Sequence, residues 1–191
     1  MSTRPDRRDG RTTDTRDRIV DVALELFTRK GFAATTMQDI ADELGLTKAA
    51  VYHYHRTKED LIRSLVEPAI EDVDGFFRRA AAESFDRGTF LAEFFDVNYR
   101  NRRIFTALTT DPTGLAVADA HGWVTSMAAQ AQERLVGEDA TADQRIRALM
   151  AVNGLSRCAT LLTHIPRDQL RAQTVRAALE LIESADRSSE I

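Results

Sequence analysis

A single cysteine, Cys158, leaves this chain without an intrachain disulfide or a cysteine-built zinc cage. That residue reads as a small buried apolar side chain. Four prolines and nine glycines are few for 191 residues, so little interrupts long stretches rich in Ala, Leu, Arg and Glu, a mixture that favours helix over sheet. No run of about eighteen apolar residues occurs, which excludes a membrane-spanning helix. The polar, Arg-rich start has no apolar stretch of the kind a secretory leader needs, so a cytoplasmic location is expected. A Gly-rich phosphate loop and a nucleophile motif are also missing, and His53 and His55, two apart on a helix, point to different faces and cannot easily share a metal. Neither an enzyme nor a bound metal or cofactor is expected.

What is present is apolar residue enough for a packed core, 43% of the chain. The formal net charge of −4 argues at first against a nucleic-acid partner, but residues 1–60 hold 11 basic and 11 acidic side chains, so the negative excess lies entirely downstream. Local placement of charge must therefore decide what the first third of the chain binds.

Residues 1–13 show no apolar periodicity and read as a disordered arm, either a solvated end or one whose Arg7, Arg8 or Arg11 reaches phosphates or a minor groove once DNA is bound. From about Thr15 to Lys30, the residues Ile19, Val22, Ala23, Leu26 and Phe27 share one helical face, and Gly31 stops that helix. Thr36 caps a second helix, with Asp39 three residues on to complete a capping box, and Ile40, Ala41 and Leu44 face inward. Gly45 suits the left-handed conformation that ends it, Leu46 plugs the turn, and Thr47 caps a third, short helix. The stretch from Thr36 to His53 thus spells a helix-turn-helix, a common way of presenting side chains to the DNA major groove. Another box, Thr57-Lys58-Glu59-Asp60, opens a fourth helix carrying Leu61, Ile62, Leu65, Val66, Ala69 and Val73, which Pro68 should bend. Beyond Gly75 the pattern shifts to longer helices, expected over 89–99, 102–110, 119–136, 141–164 and 167–184, with turns at Asp111-Pro112-Thr113-Gly114 and Gly137-Glu138-Asp139.

These residues resemble the TetR family of bacterial transcription regulators. The resemblance runs from about Thr15 to Val66 and rests on Leu26-Phe27 before Gly31-Phe32, on Thr36 to Gly45, on Val51-Tyr52-His53-Tyr54 and on Thr57-Lys58-Glu59-Asp60-Leu61. It implies an all-α homodimer: a three-helix DNA-binding domain over residues 14–60 and a helical ligand-binding and dimerisation domain over 61–187. In such proteins a small effector typically releases the operator. One position departs from the family pattern, for His55 stands where a Phe is usual; a local hydrogen bond, a tilted recognition helix or a pH-sensing role is open to it.

The third helix is about two turns long, so few side chains can reach base edges. With Val51 and Leu46 turned to the core, its outer side carries Thr47, Lys48, Ala49, Tyr52 and His53. Lys48 suits a guanine edge and Ala49 a thymine methyl. Tyr52, Tyr54 and Lys58 match family positions that hold phosphates, with Thr36 and Gln38 adding contacts from the second helix. So small a reading head needs two copies on successive faces of the duplex, about 34 to 36 Å apart, and hence an approximately palindromic operator.

The last two helices are expected to make the dimer. Ala148, Ala151, Gly154 and Ala159 allow close approach, and Leu170, Thr174, Ala177, Ala178, Leu181 and Ile182 form an apolar stripe, although the same stripe also suits the chain's own core. The aromatic-rich middle suggests a cavity for a mostly apolar effector, lined by Phe77, Phe94, Phe105 and Trp123 and oriented by Asn98, His121, Asn153 and Arg157. The rival reading keeps the helical body but drops the operator, making the chain a small-molecule carrier or sensor.

Overall fold

A computed structural model describes residues 8–110 and 121–188. Among the described residues every regular element is a helix: α1 (Arg8–Lys30), α2 (Met37–Leu44), α3 (Lys48–Tyr54), α4 (Lys58–Ala82), α5 (Arg87–Arg100), α6 (Arg102–Thr110), α7 (His121–Val136), α8 (Ala142–Leu161) and α9 (Arg167–Ser188). None of them is long and apolar enough to cross a membrane. The turn expected at Asp111-Pro112-Thr113-Gly114 lies outside the described residues, as does Arg7.

The chain divides into two compact units. The first runs to Glu67 and takes in the end of α6 from Ala107; the second starts at Pro68. This moves the boundary past the expected break at 60/61, because Leu61, Ile62, Leu65 and Val66 on the first turns of α4 are buried and belong to the first unit. Helix α4 runs unbroken through Pro68 and through Gly75, where a change of pattern was expected. A second correction concerns the arm. Helix α1 begins at Arg8 and not near Thr15, since no proline follows Pro5 before Gly31 and the Arg, Asp and Thr residues between tolerate helix.

In the first unit, Ile19, Ala23, Leu26 and Phe27 of α1 meet a core completed by Ile40 and Ala41 of α2 and Val51 of α3, all at most 3% exposed. The turn between α2 and α3 is built as local chemistry dictates. The Thr36 backbone N–H and hydroxyl both donate to the Asp39 carboxylate at 2.8 Å, and the Asp39 N–H returns a bond to Thr36 Oγ1. With Lys30 adding its charge, these bonds, the Thr36 backbone one foremost, hold the Asp39 carboxyl at a pKa of about 2. At the other end Gly45 has φ +65°, and the Leu46 N–H reaches the Ala41 carbonyl at 2.8 Å, closing a Schellman turn. No atom lies within 4 Å of where a Gly45 Cβ would sit, so Gly45→Ala is expected to cost only the backbone strain, roughly 1–2 kcal/mol. Urea denaturation measures it, and an unchanged midpoint would contradict this account of the turn.

The second unit centres on α5, which packs against α8 and α9, while α7 also packs on α8. Asp86 caps α5 by accepting the Thr89 N–H at 2.7 Å, so this helix starts two residues before the expected Thr89. Phe76, Phe90, Phe94 and Phe95 are each at most 1% exposed. Phe90 and Phe94 stack with centroids 6.0 Å apart at 11°, and Phe76 meets both at 5.0 and 5.7 Å. At the edge of this core Asp96, 9% exposed, accepts from Arg167 at 2.6 Å and from Arg171 at 2.9 Å, which ties α5 to the start of α9.

Candidate nucleic-acid interface

Helix α3 has one fully buried side chain, Val51, and its other faces look outward. Lys48, Ala49, Tyr52 and His53 are exposed together with the cap residue Thr47, and Tyr54 is half-buried. The period of the helix explains the sorting. Val51 is anchored in the core, so the residues two before it and one and two after it turn away from that side, while Lys48, three before it, is exposed at the open first turn. The face is polar and aromatic: Lys48 Nζ lies 5.8 Å from the Tyr52 ring centroid, and the His53 and Tyr54 rings meet edge to face at 5.4 Å. Thr47 Oγ1 accepts the Ala50 N–H at 3.1 Å, so that hydroxyl starts the helix as well as standing at its exposed end. On α2, Thr36 and Gln38 are exposed, but each side chain is engaged: Thr36 in the capping box, and Gln38 Nε2 on Asp42 Oδ1 at 2.6 Å.

The Lys58 ammonium donates to the carbonyls of Phe32 at 2.7 Å, Thr35 at 2.8 Å and Ala33 at 3.4 Å, and sits 4.3 Å from the Phe32 ring centroid. An ammonium has three protons, and here all three are directed into the loop after α1. The geometry makes Lys58 a clamp between α4 and that loop. Arg56, exposed one residue beyond the His55 cap of α3, is the cation that sequence reasoning passed over. Its signal was its place: a cation in the turn between two helices, just before the N-terminus of α4.

Residues 19–65 match the family described as "Bacterial regulatory proteins, tetR family". Over these residues the chain carries a tetR-family domain. Among its relatives are the biofilm operon icaADBC HTH-type negative transcriptional regulator IcaR of Staphylococcus epidermidis, 31% identical over 52% of this chain and 56% of that protein. The HTH-type transcriptional repressor KstR2 of Rhodococcus jostii is 30% identical over 44% of this chain and 41% of its own length. The chain thus spans about half the length of the curated relatives it matches. In fold it is similar to Mycobacterium smegmatis AmtR, with a TM-score of 0.66 at 18% identity over 95% of this chain and 89% of that one.

The residues expected to line an effector cavity have different surroundings. Phe94 is fully buried, with its centroid 6.4 Å from that of Phe77, and Asn98, 1% exposed, spends its Nδ2 on the Phe94 carbonyl at 2.7 Å. Phe105 and Trp123 form a separate pair at 6.2 Å, and Trp123 Nε1 donates to Asp74 at 3.3 Å. Asn153 and Arg157 are exposed on α8, and the His121 side chain lies outside the described residues. Phe77 borders a hollow of about 480 Å³, shared with Ala80, Ala81, Gln130, Glu133 and Arg134 and widely open to solvent.

The stripe expected at the dimer contact also needs correction. Ala148, Ala151, Ala159, Leu170, Thr174, Ala178 and Ile182 are buried within the second unit, where α8 and α9 pack on each other and on α5. Small residues serve close helix packing within a chain as well as between chains. Among the described residues of the second unit, the large apolar side chains left exposed are Ile146, Leu149, Met150 and Leu161, all on α8, with the exposed Gly154 between them.

Proposed function

We propose that this chain is a DNA-binding transcriptional regulator acting in the cytoplasm as a homodimer, and that it represses by occupying an approximately palindromic operator. The observation that carries this reading is α3: two turns of helix pinned by Val51, with Lys48, Ala49, Tyr52 and His53 held outward at its exposed face. Lys48 and Ala49 would read bases, Tyr52, Tyr54 and Lys58 would hold phosphates with the exposed Arg56 beside them, and Thr36, Gln38 and Thr47 would touch the DNA nearby. The printed names of IcaR and KstR2, a negative regulator and a repressor, support the sign of the effect. The exposed apolar face of α8 supports self-association, since four large apolar side chains along one helix are a surface that a second copy would cover. A small, mostly apolar effector held by the second unit completes the reading.

The test is fluorescence anisotropy of the purified protein on the DNA beside its own gene at two salt concentrations. Tight binding that weakens steeply with salt is expected, and Tyr52→Ala and Lys48→Ala should each reduce affinity by roughly 10-fold or more, about 1.4 kcal/mol. If the duplex binds no better than a scrambled one, and a genome-wide selection from fragmented DNA recovers no site, the regulator reading fails.

A further inference from the structure

The residue that ends the recognition helix is a titratable group in a place built for an apolar one. His55 caps α3, its N–H bonded to the Val51 carbonyl at 3.0 Å, and its side chain turns inward so that the residue is only 3% exposed. Its Nε2 is buried and has no hydrogen-bond partner. A neutral imidazole tolerates this, since one nitrogen can stay an unbonded acceptor while the ring packs as an apolar plate. An imidazolium cannot, because it brings a charge and a second N–H that the site gives no acceptor.

We propose that His55 is a proton-operated latch on the recognition helix, neutral and closed when the helix is seated, and released when the ring is protonated. The surroundings set its direction. Burial disfavours the charged ring most, Arg16 of α1 adds a like charge, and Asp60 of α4 pulls the other way without overcoming them, so the imidazole sits below its ordinary value of 6.5. On its own segment, the neighbouring His53 and Arg56 are exposed.

The sign follows from linkage. Above about pH 6.5 an opened, hydrated His55 and the buried one are both neutral, and the latch has its full strength. As pH falls below that, the opened state takes up a proton that the closed state refuses. The open population then grows by up to about tenfold per pH unit, levelling off once the buried ring itself titrates. Because the helix in question is the one assigned to read DNA, its consequence for operator affinity rests on the function proposed above, but the latch itself does not. DNA binding depends on every group of the reading head and not on the latch alone, so it is the wrong readout.

The test uses the full-length protein without DNA. With only four histidines in the chain, the imidazole signals can be followed by NMR from pH 5 to 8 and His55 assigned by its loss in His55→Phe. Hydrogen exchange of the α3 amides, corrected for the intrinsic pH dependence of exchange, is compared across wild type, His55→Phe and His55→Gln, the last covering the case in which the phenylalanine variant does not fold. The expected result is a His55 midpoint below 6.5 and an α3 opening that rises on acidification in wild type and stays flat in the variants. A midpoint at or above 6.5, or the same pH dependence of α3 opening in wild type and variants, would overturn the latch. Loss of DNA binding at every pH, with the latch titrating as described, would instead count against the proposed function alone.

Discussion

Phe94→Ala is expected to lower the free energy of unfolding by about 3–5 kcal/mol, the range for deleting a fully buried phenylalanine whose neighbours cannot collapse into the space. Phe94 has no exposure, and its ring is enclosed by Phe76, Phe77 and Phe90 at centroid distances of 5.7, 6.4 and 6.0 Å. The Asn98 amide bonded to its carbonyl holds the backbone one turn away, which limits local repacking. Urea unfolding followed by circular dichroism measures the loss. The experiment also separates two roles for the aromatic cluster. A side chain lining an effector cavity borders empty or water-filled space, and truncating it enlarges that space at little cost in stability. A loss under about 1 kcal/mol would return Phe94 to the cavity wall; the full loss assigns it to the core.

The difference between what the sequence revealed and what it concealed follows from the range of the interactions. Thr36, Asp39, Gly45 and Thr47 were legible because a cap is settled within three or four residues, and the hydrogen bonds drawn from the sequence are those observed. The exposed face of α3 followed once Val51 was turned to the core, since helical periodicity leaves little choice. The Lys58 clamp was not legible because its partners, the carbonyls of Phe32 and Thr35, lie more than twenty residues away and belong to backbone, which carries no residue-type signal. The same limit applies to α8 and α9. Ala148, Ala151 and Ala159 permit close approach of any helix, and only the fold shows that the helix is one from the same chain. Asp96 was passed over for the opposite reason, as a lone carboxylate among phenylalanines whose two arginines come more than seventy residues later.

The exposed face of α8 carries the other large effect. Replacing Ile146 and Met150 together with glutamate is expected to turn the proposed dimer into a monomer while leaving each protomer folded. Both side chains are 58% exposed in the single chain, so the change removes little from the protomer's own core. Leu149, 44% exposed, and Leu161, 51% exposed, extend the same face, and beside Gly154 no atom lies within 4 Å of where a side chain would begin, so a second helix can approach closely there. Two carboxylates placed in that contact would be buried without partners and would face their symmetry mates, a desolvation and repulsion cost of several kcal/mol and a weakening of self-association by roughly 100-fold or more. Sedimentation velocity reads the assembly state, and thermal unfolding by circular dichroism checks that the protomer survives. The consequence for DNA is larger than any single contact on α3 would suggest. A reading head with two turns of helix relies on its partner to convert a weak half-site into a tight whole one, a gain on the order of 10²–10⁴ that disappears when the two heads are no longer joined. The doubly substituted protein should therefore keep the weak, salt-sensitive binding of one head and lose operator recognition. Retention of a stable dimer by the folded variant would place the self-association surface elsewhere on the chain, and the palindromic-operator argument would then have to be rebuilt on that surface.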